Sequence, residues 1–289
     1  MGAEMNMRIL IGYNGTEFAR VAIQDLARAG MPDQADALVL TVAESCFPTV
    51  QEKDGAAVAA EGAAQVKELF PGWNIGTQIS KGAPIRKILA AAESFGVDII
   101  VLGEPNKTRP EHNVFLGPVS QGVLTDGVSV LRIARKPQRP DHSTPPRLLV
   151  GFNGSDGAEL AIAAIAKRPW PPGTTVRLIA IDDTGVLGTI GRLSPQVRAA
   201  AVGSGFASHW AETLASKSLE KLAAAGLDAS VDIRTGNPHH ALVEAADELN
   251  ADCIFVGPHT AGNSFERFLV GSVSATVAAR ANCTVEIVR

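Results

Sequence analysis

Between Cys253 and Ser274 the chain reads CIFVGPHTAGNSFERFLVGSVS. The apolar run Cys253 to Val256 predicts a buried strand, Gly257 ends it, and Gly271-Ser272 open a short helix running to about Arg280. A strand, a glycine-bearing loop and a helix start can together hold an anion. Glycines let backbone N–H groups come close, and the first N–H groups of a helix have no intrahelical acceptor. Gly257, Gly262 and Gly271 would supply the loop, and Ser272 a hydroxyl. Arg267 stands four residues before Gly271, either as a phosphate partner or as a solvated helix charge. His259 reads as a phosphate contact or as a surface loop residue. Three glycines in a loop are also ordinary turn chemistry, so the meaning of the stretch depends on the elements around it.

Other chemistry is sparse. His239 and His240 are adjacent at a helix start, so their side chains diverge and do not make a two-His metal face. Asp182 and Asp183 end a strand, where they would hold a metal on a bound phosphate or simply be solvated. Cys46, Cys253 and Cys283 are widely spaced, and the last two sit in apolar strand patterns, which suits small core residues. No Ser/His/Asp ordering, Walker lysine motif or Cys/His cluster is visible in the sequence.

The positioning elements alternate. Arg8 to Tyr13 is an apolar strand ending in Asn14-Gly15-Thr16, with a helix capped near Thr16 and stopped by Gly30 and Pro32. Ala37 to Ala43 is a second strand, Gly55 to Phe70 an alanine-rich helix, and Trp73 to Ile79 an alternating strand. Pro84 starts a third helix. Val97 to Leu102 is another apolar strand, Gly117 to Leu124 a short helix, and Ser129 to Ala134 a closing strand. Most of these strands are apolar on both faces, which predicts a parallel sheet covered by helices on each side.

The chain has 289 residues, 46% hydrophobic and 19% charged, with a net charge of −4. That suits about two globular domains and argues against partners that need a basic field, nucleic acid and membrane surface alike. No run reaches membrane-spanning length and no apolar leader opens the chain, so the cytoplasm is the expected location.

After a proline-rich linker, Lys136 to Pro146, the pattern restarts. RILIGYNGT at Arg8 matches RLLVGFNGS at Arg147 without a gap. Gly82, Pro84, Asp98 and Gly103 recur as Gly236, Pro238, Asp252 and Gly257. Gly117, Val119 and Ser120 recur as Gly271, Val273 and Ser274. The expected division is residues 1–136, a linker at 137–146, and residues 147–289. The second copy carries an insertion of about 15 residues near Asp183 to Ser204. This glycine-bearing segment is expected to border the ligand mouth as a flap.

Each half resembles a universal stress protein domain, and the whole resembles a tandem universal stress protein. The resemblance rests on the opening G-[YF]-N-G-[ST], the G-x-P before the third helix, the A-D-x-I-x-V-G strand, and V-G-S-V-S followed by C-T-V-E-I-V-R. It implies an α/β fold of two doubly wound, five-stranded parallel sheets, each in order 3-2-1-4-5. It also implies an adenine nucleotide, ATP or another, at the carboxyl ends of the strands, with Mg2+ able to accompany it. Open α/β sheets place ligands there on physical grounds too. On this resemblance the nucleotide meets Asn153, Ile181 and Val256 at the strand ends. The loop contributes Gly257, His259, Gly262 and Arg267, and the helix start contributes Gly271, Ser272, Val273 and Ser274. Family binders usually carry aspartate where Asn14 and Asn153 stand. The family motif G-x2-G-x9-G-[ST] is also one residue shorter here than Gly257-x4-Gly262-x8-Gly271-Ser272. Catalysis, on the resemblance, goes no further than slow ATP hydrolysis.

In the first half Thr108, Asn113 and Pro118 replace Gly262, Arg267 and Ser272; Lys107 and Arg109 add positive charge that allows weak anion binding, but the site is expected to be degenerate. The closing strands of the two halves should pair across a pseudo-twofold axis, an intramolecular pseudo-dimer with room for a further homodimer.

Overall fold

A computed structural model describes residues 6–43, 52–105, 116–139, 143–182, 206–258 and 270–289. The first half runs β1 (Met7–Gly12), α1 (Glu17–Leu26), β2 (Ala35–Ala43), α2 (Glu52–Leu69), β3 (Asn74–Lys81), α3 (Pro84–Phe95), β4 (Ile99–Gly103), α4 (Pro118–Asp126) and β5 (Val130–Ala134). The second runs β6 (Arg147–Phe152), α5 (Asp156–Ala166), β7 (Thr175–Asp182), α6 (Phe206–Ala224), β8 (Asp228–Thr235), α7 (Pro238–Glu248), β9 (Cys253–Val256), α8 (Ser272–Arg280) and β10 (Thr284–Ile287).

Local chemistry explains many of the boundaries. Thr16 Oγ1 accepts the Ala19 N–H at 3.3 Å and so starts α1. Ser155 does the same for α5 through Ala158. Pro84 and Pro238 begin α3 and α7 where a missing N–H costs nothing. Gly96 closes α3 in the left-handed region at φ 63°, which glycine reaches without a Cβ penalty. The second helix begins at Glu52, three residues before the expected Gly55.

Each half has its sheet in order 3-2-1-4-5, with parallel pairing throughout. The two sheets join edge to edge through β5 and β10, which pair antiparallel with Glu286 opposite Arg132 and Val285 opposite Ile133. The outcome is one ten-stranded sheet with β3 and β8 at its rims. The expected pairing of closing strands is therefore present. The rim strand β3 alternates exposed and half-buried residues, unlike the buried central strands.

One apolar layer crosses the junction on one face, from Leu10 and Ile88 through Leu131, Ile133 and Val285 to Leu149 and Leu242. On the other face each half has its own core, around α1 and α2 or around α5 and α6. Cys253 and Cys283 belong to these cores, as expected. Cys46 and the insertion after Asp182 lie outside the described residues.

The junction also holds a buried ionic network. Glu286, fully buried, accepts from Arg132 at 2.8 Å and from both terminal nitrogens of Arg168. Arg132 also reaches Asp25 on α1 at 2.6 Å, and Thr284 donates to the same carboxylate at 2.8 Å. Asp252 pairs with Arg28 at 3.0 Å and with Arg139 from the segment between the halves. Buried charges survive only when paired and hydrogen-bonded, and these are.

Candidate functional site

In each half the strand order reverses between the first and fourth strands, and a cleft opens at their carboxyl ends. The second-half cleft has a volume of about 390 Å³. Gly151, Phe152 and Asn153 come from the end of β6, and Ile179 and Ile181 from β7. Pro238 and Leu242 of α7 form a wall, Val256 ends β9 with Gly257 and Pro258 after it, and Gly271 to Ser274 bring the start of α8. The space suits a drug-sized ligand, apolar at the sides with polar groups at one end.

Eight of the expected residues therefore converge: Asn153, Ile181, Val256, Gly257, Gly271, Ser272, Val273 and Ser274. His259, Gly262 and Arg267 lie outside the described residues, so their expected roles stay with the sequence. Sequence reasoning passed over Phe152, Ser155, Pro238 and Leu242, which line the same space. In the sequence Pro238 marks a helix start within the repeated G-x-P, and Leu242 lies one helical turn on, where side chains share a face.

The individual contacts refine several roles. Gly257 is required by packing: a Cβ there would stand 1.8 Å from the Gly157 carbonyl oxygen at the start of α5. Its glycine identity comes from that close approach of helix and strand. Ser274 donates its hydroxyl proton to the Gly257 carbonyl at 3.2 Å, tying α8 to the end of β9. Ser274 is thus a positioning residue. Asn153 accepts the Ser155 N–H at 3.1 Å in a turn, which leaves its amide hydrogens as the donors it can offer a ligand. Asn14 does the same with Thr16 at 3.2 Å.

The decisive local feature is the start of α8. Gly271 is its N-cap and supplies no side-chain acceptor. By contrast α5 is capped by Ser155, and α7 by Asn237, which accepts the His239 N–H at 2.9 Å, whereas α3 and α4 start at Ala83 and Gly117 and likewise have no side-chain cap. The first N–H groups of α8 therefore rely on a partner that its own cap does not provide, at a helix end carrying positive partial charge.

The histidines at α7 have structural partners. His239 Nδ1 lies 3.0 Å from Thr276 Oγ1, and His240 Nδ1 lies 3.2 Å from Arg280, both on α8. Among the described residues no group of three His, Cys, Asp or Glu side chains is placed to hold a metal.

The first-half cleft is larger, about 570 Å³, and repeats these walls position by position. Leu40, Val42, Pro84 and Ile88 stand where Ile179, Ile181, Pro238 and Leu242 stand. Two of the differences lie beside the start of the last helix of each half. Pro118 replaces Ser272, removing an N–H and a hydroxyl, as expected. Glu104 replaces Pro258, and its carboxylate accepts the Gly117 N–H at 3.3 Å. The sequence signal for Glu104 was its position directly after the repeated glycine.

Residues 5–126 match the model of the Universal stress protein family, and residues 146–289 match it again. The chain belongs to the universal stress protein family. Solved universal stress proteins share its full architecture. One from Archaeoglobus fulgidus is 21% identical, covers 98% of both chains and superposes with a TM-score of 0.67. A putative universal stress protein from Pseudomonas aeruginosa is 14% identical, covers 98% of this chain and 93% of its own, and reaches 0.64. No curated protein matches the chain. Among the described residues of this universal stress protein no helix is long and apolar enough to cross a membrane.

Proposed function

We propose that this universal stress protein binds an adenine nucleotide, ATP above all, at one working site in the second half. One observation carries the reading: α8 begins inside a ligand-sized cleft with no side-chain cap of its own and, unlike α4, with no proline in its first turn. Phosphate oxygens would complete the N–H groups after Gly271 and meet the Ser272 hydroxyl. The ring would lie in the apolar slot between Ile179, Ile181 and Leu242, with the ribose toward Asn153. Arg267, His259 and Gly262 would complete the phosphate loop. Mg2+ would arrive on the phosphates, since no described cluster offers it three protein ligands. The role that follows is regulatory, a nucleotide-dependent signal in stress response, with at most slow hydrolysis.

The first half supports the asymmetry. There the corresponding helix start is met by Glu104 and begins with Pro118. The test is direct: denature the purified chain, chromatograph the released small molecules, and titrate the nucleotide-free protein with ATP. Recovered adenine nucleotide, or saturable ATP binding, supports the reading. A chain that carries none and binds none would instead be an interaction protein of the same fold.

A further inference from the structure

The first-half cleft keeps the apolar walls of its counterpart and inverts the charge at one end. Glu104 is only 6% exposed, lines the cleft, and follows β4 directly. The single hydrogen bond to its carboxylate among the described residues is the long one from Gly117, 3.3 Å. Its other oxygen lies against the same glycine, since a Cβ on Gly117 would stand 2.8 Å from it. Arg135 is the nearby buried cation: burial lowers its pKa, and Cys283 and the Glu104 carboxylate act in the opposite direction. Its guanidinium is turned to the carbonyls of Ala278 and Cys283, at 2.6 and 3.3 Å. A carboxylate of the chain itself thus occupies the seat where the other cleft presents backbone donors. Buried carboxylates hold several acceptor positions, and one weak N–H bond from the described residues leaves acceptor capacity that a ligand in the cleft can use.

We propose that the first-half cleft is a second ligand site of opposite charge preference: it takes an unphosphorylated, nucleoside-like molecule whose hydroxyl or amino donors meet Glu104, and it rejects phosphate. The walls shared by the two clefts select the same ring, and the exchanged end selects a donor-bearing arm in place of an anion. The choice of a nucleoside rests on the reading of the second cleft, while the charge preference stands on Glu104 alone.

Calorimetric titration of the full chain with adenosine and with ATP, in the wild type and in Glu104→Gln, tests it. The variant should weaken a component of adenosine binding about tenfold, the scale of one charge-assisted hydrogen bond. ATP binding should not weaken. Adenosine binding that is absent, or equal in both proteins, would overturn the proposal, as would parallel weakening of both ligands. The outcomes separate the two readings. ATP binding without Glu104-dependent adenosine binding sinks only this inference, and the reverse sinks only the ATP assignment. Should Glu104→Gln fold poorly, Pro118→Ser asks the same question with the carboxylate in place. Adenosine affinity should then stay within about twofold, because Glu104 still holds the seat. A Pro118→Ser chain that gained a second ATP site equal to the first would overturn it.

Discussion

Replacing Glu286 by alanine should loosen the junction of the two halves more than any surface charge change. The Glu286 side chain is 0% exposed and holds Arg132 at 2.8 Å and Arg168 through both oxygens. Its removal leaves Arg132, itself 1% exposed, with Asp25 as the remaining carboxylate, and strips Arg168 of its carboxylate altogether. Breaking a buried pair from one side costs about 3–5 kcal/mol, because the surviving charge stays buried. Asp25 still compensates Arg132, so the lower end applies, about 3 kcal/mol. For a chain of this size that is a fall in Tm of roughly 6–12 °C. The control is Glu61→Ala. The Arg20–Glu61 pair is 46% and 42% exposed, and exposed pairs contribute at most about 1 kcal/mol, to which the lost bond from the Tyr13 hydroxyl to Glu61 at 2.9 Å adds about 1 kcal/mol. Thermal unfolding followed by circular dichroism measures both. The pH dependence adds a signature. Burial pushes the Glu286 carboxyl up, but Arg168 and Arg132 outweigh it and hold it below its ordinary value. A depressed carboxyl stabilises the fold above its unfolded pKa and loses that contribution as pH falls through the folded value. The gap between wild type and Glu286→Ala should therefore be full near neutrality and shrink below about pH 4. If Glu286→Ala costs no more than Glu61→Ala, or the gap ignores acid, the network does not hold the junction as argued.

Gly257→Ala should destabilise the second half and disturb its cleft, because the added Cβ would stand 1.8 Å from the Gly157 carbonyl oxygen. Unfolding and ATP titration together check this, and a fully stable Gly257→Ala chain would refute the packing reason for that glycine. Burial pushes the Cys283 thiol up to about 12 and the Cys253 thiol well above its ordinary range. Neither should react with a thiol reagent in the folded chain at pH 8, and both should react after denaturation, as read by peptide mass spectrometry. Rapid native labelling of either would contradict its place in the core.

Much of the fold was legible because it is written twice. Arg8 to Thr16 and Arg147 to Ser155 repeat without a gap, and buried parallel strands announce themselves as continuous apolar runs. The apolar closing strands predicted their own pairing, since an uncovered edge seeks a partner. The buried charges inside them were not legible. Arg132 and Glu286 interrupt apolar runs, and only the antiparallel register that sets them opposite each other shows why. The site was legible where glycines and a helix start lie close in sequence. It was less so where the walls come from distant segments, as with Leu242 and Phe152. Glu104 illustrates the limit. Its role depends on a carboxylate folding back onto a glycine 13 positions along the chain. The packing reason for Gly257 was hidden in the same way, since its tight contact comes from Gly157 on another element.

The most direct measurement is the stoichiometry of ATP binding to the full chain and to Ser272→Pro. Pro118 in the first half and Ser272 in the second make the two clefts a controlled pair. The first half lacks the hydroxyl and backbone donor at Pro118 and, with Asn113 in place of Arg267, a charged donor as well, about two to three hydrogen bonds in all, on the order of 3 kcal/mol or a hundredfold in affinity. Calorimetry should find close to one ATP per wild-type chain, and Ser272→Pro should lose most of that binding while keeping its fold. Two equivalent sites, or ATP affinity unchanged by Ser272→Pro, would contradict a single nucleotide site at the start of α8.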